Sequence, residues 1–238
     1  MNWIQSSEGS HHGDHISQNS IRPDYVDEVY KMLLDAISDG TLAPGTRLTQ
    51  EEIAEQMQVS RSPVIQALRI LKKDGFVQDA PGRGVLVTPL DIESIGHLYE
   101  IRGSLDALAA RLAAKRHFKV DPKIIANGRR TTQGKDVKAM IDADMEFHHA
   151  IYRAAGNPFL EQSAQNYWVH LRRAMGAVLQ SSAQQRKTIW DEHEAIAEAI
   201  AAGDGARAAE LTDLHTTRAR ENLTSRLVEY IGDTRQTA

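Results

Sequence analysis

The sequence predicts a mainly α-helical protein, an N-terminal winged helix-turn-helix followed by an all-α antiparallel helical bundle. Three observations lead there. Residues 21–90 change hydrophobic period over short distances, in the order helix, short helix, tight turn, helix, hairpin. From Asp91 onward no strand pattern recurs, and six helical stretches are separated by Gly-, Pro- and Ser-containing breaks. Aromatic residues make up only 5% of the 238 residues, which suits helices packed through Ala, Leu and Ile better than a β-sandwich.

The elements follow in order. Residues 1–20 are rich in Ser, His, Gly, Asn and Gln without periodicity, and are expected to form a disordered, solvated arm that includes His11, His12 and His15. Val26, Val29, Tyr30, Leu33 and Ile37 keep helical spacing up to Gly40, and Pro44-Gly45 makes a turn. Thr49 and Glu52 form a capping box for a short helix carrying Ile53, Ala54 and Met57. Ser60 is placed to cap the next helix, whose inward stripe is Val64, Ala67, Leu68 and Leu71 and which stops at Asp74-Gly75. Phe76-Val77 and Val85-Leu86-Val87 flank Ala80-Pro81-Gly82-Arg83-Gly84, a hairpin with a glycine-rich tip. The second domain, residues 91–232, is expected to hold helices over 91–116, 121–133, 136–155, 158–181, 184–202 and 205–231, with residues 233–238 as a tail.

Composition narrows the function classes. With 41% hydrophobic residues the chain can bury real cores and is not wholly disordered. No stretch approaches the ~20 apolar residues of a membrane span, and the first 20 residues lack the apolar segment of a secretory signal. The absence of cysteine removes disulfide scaffolds, thiolate metal sites and cysteine catalysis, and fits a reducing cytoplasm. Net charge is −4, with 8 basic against 10 acidic residues over 21–90 and 20 of each over 91–238. Any nucleic-acid contact must therefore come from a local patch rather than a general field.

Such a patch exists in the first domain. Arg61, Ser62, Ile65, Arg69 and Lys72 fall off the apolar stripe of the 61–74 helix and must face outward, as a helix reading the major groove requires. Arg83, between two glycines, sits where a wing tip reaches a phosphate or the minor groove. Singly, each arginine is an ordinary solvated residue; the helix-turn-helix order together with a basic wing favours double-stranded DNA.

The second domain carries a buried polar cluster. Asp144 and His148 are i, i+4 on a helix face that also holds Ile141 and Ile151. His193 shares a stripe with Ile189, Ile196 and Ile200, and His215 one with Ala208, Leu211 and Ala219. Three imidazoles and a carboxylate match the ligand set of Zn²⁺, or of Ni²⁺ or Mn²⁺, yet spacing alone leaves a hydrogen-bonded core equally open. Arg102 lies on the same face of its helix as Ile95, Leu98, Leu105 and Leu112, so its guanidinium needs a partner: Asp106 one turn on, an acid on a neighbouring helix, or an acid from outside the chain.

Residues 25–90 resemble the GntR superfamily of bacterial repressors in Pro44-Gly45-Thr46-Arg47-Leu48, Ile53-Ala54, Val59-Ser60-Arg61-Ser62-Pro63-Val64, Ala67-Leu68, Leu71, Asp74-Gly75-Phe76-Val77 and the wing Pro81-Gly82-Arg83-Gly84-Val85. Two positions depart: Ile65 stands where members commonly have Arg, and Glu51-Glu52 where some place a DNA-contacting Arg. The resemblance adds Arg47 and Ser60 to the DNA-facing set. Tyr99-Glu100-Ile101-Arg102, the Asp144/Phe147/His148 pattern, Gly156-Asn157-Pro158, Glu192-His193-Glu194-Ala195-Ile196 and His215 are similar to the effector domain of the FadR-like subfamily, six-helix branch. That resemblance implies a metal on Asp144, His148, His193 and His215, Arg102 as an effector-binding residue, a small carboxylate effector such as a sugar acid, a homodimer on operator DNA, and a bacterial, cytoplasmic, nucleoid-associated repressor. Two other readings stay open at this point: a metal-dependent enzyme acting on a small acid and fused to a DNA-binding head, and a purely structural metal. Glu146, off the metal face, is a poor general base.

Overall fold

The computed structural model describes residues 25–179 and 188–236; the predicted arm over 1–20 and the ends of two predicted helices, within 180–187, lie outside them. The chain divides into two units, residues 1–89 and 90–238.

In the first unit, α1 (Tyr25–Ser38) and α2 (Gln50–Met57) pack on α3 (Arg61–Lys73), which also meets a small sheet of β1 (Arg47–Leu48), β2 (Val77–Asp79) and β3 (Val85–Val87). Val29, Leu33 and Ile37 of α1 meet Val64, Ala67, Leu68 and Leu71 of α3, all buried. Burying each Leu or Ile stabilises by about 1.5–3 kcal/mol, and this shared apolar face holds α3 at a fixed angle. The capping box at Thr49 is present, with Thr49 Oγ1 accepting from the Glu52 amide and the Glu52 carboxylate accepting from the Thr49 amide.

Two expectations change here. Ser60 is the N-cap residue of α3 but makes no side-chain cap hydrogen bond. Pro63 occupies the third helical position, where the amide that a serine cap most often takes is missing. Arg47-Leu48, to which the sequence assigns no element, forms β1 and pairs antiparallel with β3, giving the order β1-β3-β2. A two-residue strand carries no periodicity, so only its partner across the sheet reveals it.

The second unit is helical throughout its described length: α4 (Ile92–Ala114), α5 (Pro122–Thr131), α6 (Val137–Ala155), α7 (Pro158–Leu179), α8 (Ile189–Ala202) and α9 (Gly205–Gln236). None of these helices is long and apolar enough to cross a membrane. Asp91, Asp121 and Asp136 cap α4, α5 and α6 through side-chain bonds to backbone amides. The helix α9 continues through the expected tail to Gln236, because Gly232, at about 1 kcal/mol, is a weak breaker and no proline follows.

Helix α4 packs against α6, α7, α8 and most extensively α9. Its fully buried face is Tyr99, Arg102, Asp106, Ala109, Ala110 and Ala113, whereas Leu98, Leu105 and Leu112 are only half-buried. The buried line is thus rotated from the leucine stripe the sequence suggests. Alanines admit neighbouring backbones closely, so the helix turns its small residues, together with Arg102 and Asp106, toward the centre.

Candidate functional site

On the first unit, Arg61, Ser62 and Arg69 are exposed along α3, while Ile65 is half-buried. Arg61 lies 3.1 Å from Glu51, an exposed pair that water and a competing phosphate can open at little loss. Lys72 is held 2.6 Å from Asp79 of β2. Arg83 is exposed at the wing tip between Gly82 and Gly84, at φ +87° and +90°. A Cβ at position 84 would overlap the Leu48 carbonyl oxygen, so the tip requires glycine there for both conformation and space. Arg47 donates from Nη2 to the carbonyls of Pro81 and Arg83 at 2.7 and 2.6 Å, and from Nε to Arg83 at 3.1 Å. Its guanidinium thereby shapes the loop that presents Arg83.

The second unit brings Asp144, His148, His193 and His215 together in the bundle, each 6% exposed or less. The three imidazoles each offer a nitrogen within 4.8 Å of the others. His193 Nε2 lies 3.3 Å from His215 Nε2 and 3.4 Å from Asp144 Oδ1, and that oxygen has no hydrogen-bond partner. His215 Nδ1 faces Glu192 Oε2 at 2.9 Å. A carboxylate there requires the proton on Nδ1, which turns the Nε2 lone pair toward His193. Burial and the neighbouring His215 hold His193 well below the ordinary imidazole range, so it is neutral and carries one proton. That proton satisfies either His215 or Asp144, never both. Burial also raises Asp144, whose Oδ1 has no donor. The donor set therefore fits a divalent transition metal: converging lone pairs with too few protons between them are satisfied by one cation.

The ring positions are tightly held. His193 stacks on Phe147 at 4.2 Å and meets Trp190 edge-on at 4.6 Å. Glu192 accepts from Arg218 at 2.7 Å; burial alone would raise its carboxyl, but the hydrogen bonds from His215 and Arg218 outweigh it and keep the group ionised. It thus fixes the tautomer of His215, the usual task of a carboxylate behind a metal-binding imidazole.

Arg102 is 1% exposed and pairs with Asp106 at 3.1 Å, the in-chain partner that its spacing allows. Its Nη2 donates to His148 Nε2 at 2.8 Å, and its guanidinium lies 4.2 Å from the centre of the Trp168 ring. Asp106 also accepts from the hydroxyls of Tyr152 and Tyr167 and lies 3.4 Å from His148 Nδ1. Burial opposes the charge on Arg102 more strongly than any one neighbour supports it, yet Asp106, with Tyr99, Asp144 and Tyr152, together outweigh burial and keep it protonated. Burial and this guanidinium push His148 far down, so its Nε2 lone pair is available and is spent on Arg102. Glu146 is exposed and bound to Arg153, away from the cluster.

Sequence reasoning missed Glu192 as the partner of His215, and Tyr152, Tyr167 and Trp168 as the shell around Arg102. Those contacts join residues at least 15 apart in the chain, and no local spacing signals them.

Residues 25–87 match the family described as bacterial regulatory proteins, gntR family, and residues 97–218 match the FCD domain. Among curated relatives, the HTH-type transcriptional regulator LutR of Bacillus subtilis is 27% identical over 82% of this chain and 99% of its own length. A probable D-xylose utilization operon transcriptional repressor of Paenarthrobacter nicotinovorans is 25% identical over 80% of this chain and 85% of its own. Of solved structures, E. coli McbR/YncC superposes with a TM-score of 0.72 at 20% identity, over 85% of this chain and 98% of that one. A putative GntR regulator from Rhodococcus gives 0.70 at 24%, over 83% and 96%. These likenesses are to regulators, and they set aside the reading of an enzyme fused to a DNA-binding head. The chain belongs to the GntR family of bacterial transcriptional regulators, in the FadR-like subfamily that joins a helix-turn-helix to an FCD domain.

Proposed function

We propose that this regulator is a repressor that senses a small carboxylate through a metal held by Asp144, His148, His193 and His215, and that it reads operator DNA as a homodimer. The observation that carries the reading is the orphaned Asp144 Oδ1 beside His193 Nε2, whose proton the facing His215 Nε2 also needs. Zn²⁺ is the first choice for three imidazoles and a carboxylate, with Ni²⁺ or Mn²⁺ as alternatives. Bound there, the ion supplies positive charge and open coordination positions that side chains alone do not.

Arg102 acquires a role in the same reading. The Arg102 N–H now donates to His148 Nε2. Once His148 turns that lone pair to a cation, the N–H needs another acceptor, and an effector carboxylate fits it. Arg61, Ser62, Arg69 and Arg83 supply the contacts to bases and phosphates, with Ser60 beside them, Ile65 an apolar contact in the groove, and Arg47 holds the wing. Two half-sites on operator DNA ask for two copies of the head, which is the reason for a dimer. Movement of α4, α6, α8 and α9 on effector binding would couple to DNA by about 1–3 kcal/mol.

The test is order of loss. Metal-loaded protein, checked by elemental analysis, is compared with chelated protein and with His193→Ala/His215→Ala in a thermal-shift screen of small carboxylates; a ligand at 100 Kd stabilises by about 2.7 kcal/mol. Effector binding should vanish without metal while operator binding is largely kept. Equal effector affinity in metal-free protein means that the ion is structural and the mechanism wrong.

A further inference from the structure

The wall beside Asp144 says what kind of acid this site takes. A cavity of about 140 Å³ lies among α4, α6, α7, α8 and α9, with Asp144 on one side. Met140, Met175, Val178, Ile189, Trp190 and Leu223 form most of its surface. Among the described residues polar groups are few: Asp144, Tyr99 and Thr132, with Asn222 and Arg226 toward the open groove that also reaches His215. Among the described lining residues Arg226 is the one cation.

We infer that the effector is a carboxylate with a compact apolar body, a single ring or a branched tail of comparable size, and not a polyhydroxylated sugar acid. The inference rests on the carboxylate-sensing reading above and deepens it. Size is the first consideration: an apolar cavity of about 150 Å³ accommodates benzene, so this one has room for a body of about one ring. Chemistry is the second. A sugar acid would bring several hydroxyls against methionine, valine, isoleucine and tryptophan surfaces, and each hydroxyl left without a partner weakens binding by about tenfold or more. Methionines at two positions of the wall adapt to an irregular or planar body, and Trp190 offers a ring face or edge to it. Trp190 also meets His193 edge-on, so a body seated on it sits beside the metal-binding cluster. Of the small carboxylates implied by sequence resemblance, sugar acids or other organic acids, the cavity favours an apolar organic acid.

The experiment measures calorimetric affinity of metal-loaded, full-length protein for benzoate, 4-methyl-2-oxopentanoate, lactate, gluconate and benzamide, the last a neutral analogue of benzoate. Ala219→Leu, on α9 at the half-buried edge of the cavity, fills it from the side. Benzoate or 4-methyl-2-oxopentanoate should bind at least about tenfold more tightly than lactate and gluconate, the order of effect of several buried methylenes. Ala219→Leu should weaken those two by a similar factor, with lactate affinity and metal content unchanged. Gluconate or lactate binding more tightly than both apolar acids overturns the apolar body and leaves carboxylate sensing standing. Benzamide binding as well as benzoate overturns carboxylate sensing and leaves the apolar body standing. No binding of any probe overturns both, and an unaltered benzoate affinity in Ala219→Leu overturns the assignment to this cavity.

Discussion

Replacing Arg102 with Met keeps most of the aliphatic stem and removes the charge, leaving Asp106 buried among Tyr152, Tyr167 and His148. Both partners of the pair are 2% exposed at the side chain, so neither can turn to water. Breaking a buried pair from one side costs about 3–5 kcal/mol, because the remaining charge is uncompensated. The Tyr152 and Tyr167 hydroxyls still donate to Asp106 and put the expectation at the lower end of that range. At about 2–4 °C per kcal/mol for a chain of this size, the helical unit should melt roughly 6–12 °C lower. Adding Asp106→Asn removes the stranded charge while keeping an oxygen for both hydroxyls. The double variant should recover at least about 2 kcal/mol, within the range of coupling for residues in direct contact. Thermal and denaturant melts of the four metal-free proteins close the cycle, and DNA binding by the separate head reports that the chain is otherwise intact. An Arg102→Met variant melting within about 2 °C of the parent, or a double variant no more stable than the single, refutes the ion pair as the reason for a buried guanidinium.

Other outcomes follow from the same geometry. Arg61→Ala and Arg83→Ala should each weaken operator binding by about 1–3 kcal/mol without altering effector affinity, measured by fluorescence anisotropy; unchanged affinity in both rejects this reading head. Arg102→Lys should lose much of the effector response yet still bind operator, and wild-type effector affinity would leave Arg102 with the ion pair alone. A Cβ at Gly128 would sit well inside the about 3.5–4.0 Å carbon contact distance from the Trp190 ring, so Gly128→Ala should destabilise by about 1–3 kcal/mol and displace Trp190 from His193. A tryptophan emission spectrum and metal content identical to the parent's would show that the ring had not moved. His148 and His193 stay neutral in the folded, metal-free protein and take up protons only on unfolding. Stability should therefore fall as pH drops below about 6.5, by up to about 1.4 kcal/mol per pH unit for each imidazole. Asp144, raised by burial, acts in the opposite sense but is one group against two. A denaturation midpoint that stays level between about pH 7.5 and 5.5 excludes buried neutral imidazoles.

Local spacing alone determined the winged-helix order, the capping box at Thr49, the outward face of α3 and, among the described residues, the breaks that separate the bundle helices. Each depends on residues within one or two turns, where period, capping chemistry and glycine or proline geometry act directly. The ligand set was legible for the same reason in Asp144 and His148, and as inward stripes in His193 and His215. Spacing could say that these residues faced inward, but not that their nitrogens converge or that one proton must serve two acceptors. Tertiary structure decided that, by crossing α6, α8 and α9 at one point. It also gave Arg102 to Asp106 and His148, paired Glu192 with His215, made Arg47-Leu48 a strand, and rotated α4 so that its alanines and Arg102, not its leucines, face the centre. These outcomes depend on which surfaces fit together across many residues, and helical period does not carry that information: it sets which way a side chain points from its own axis, while packing decides what it meets.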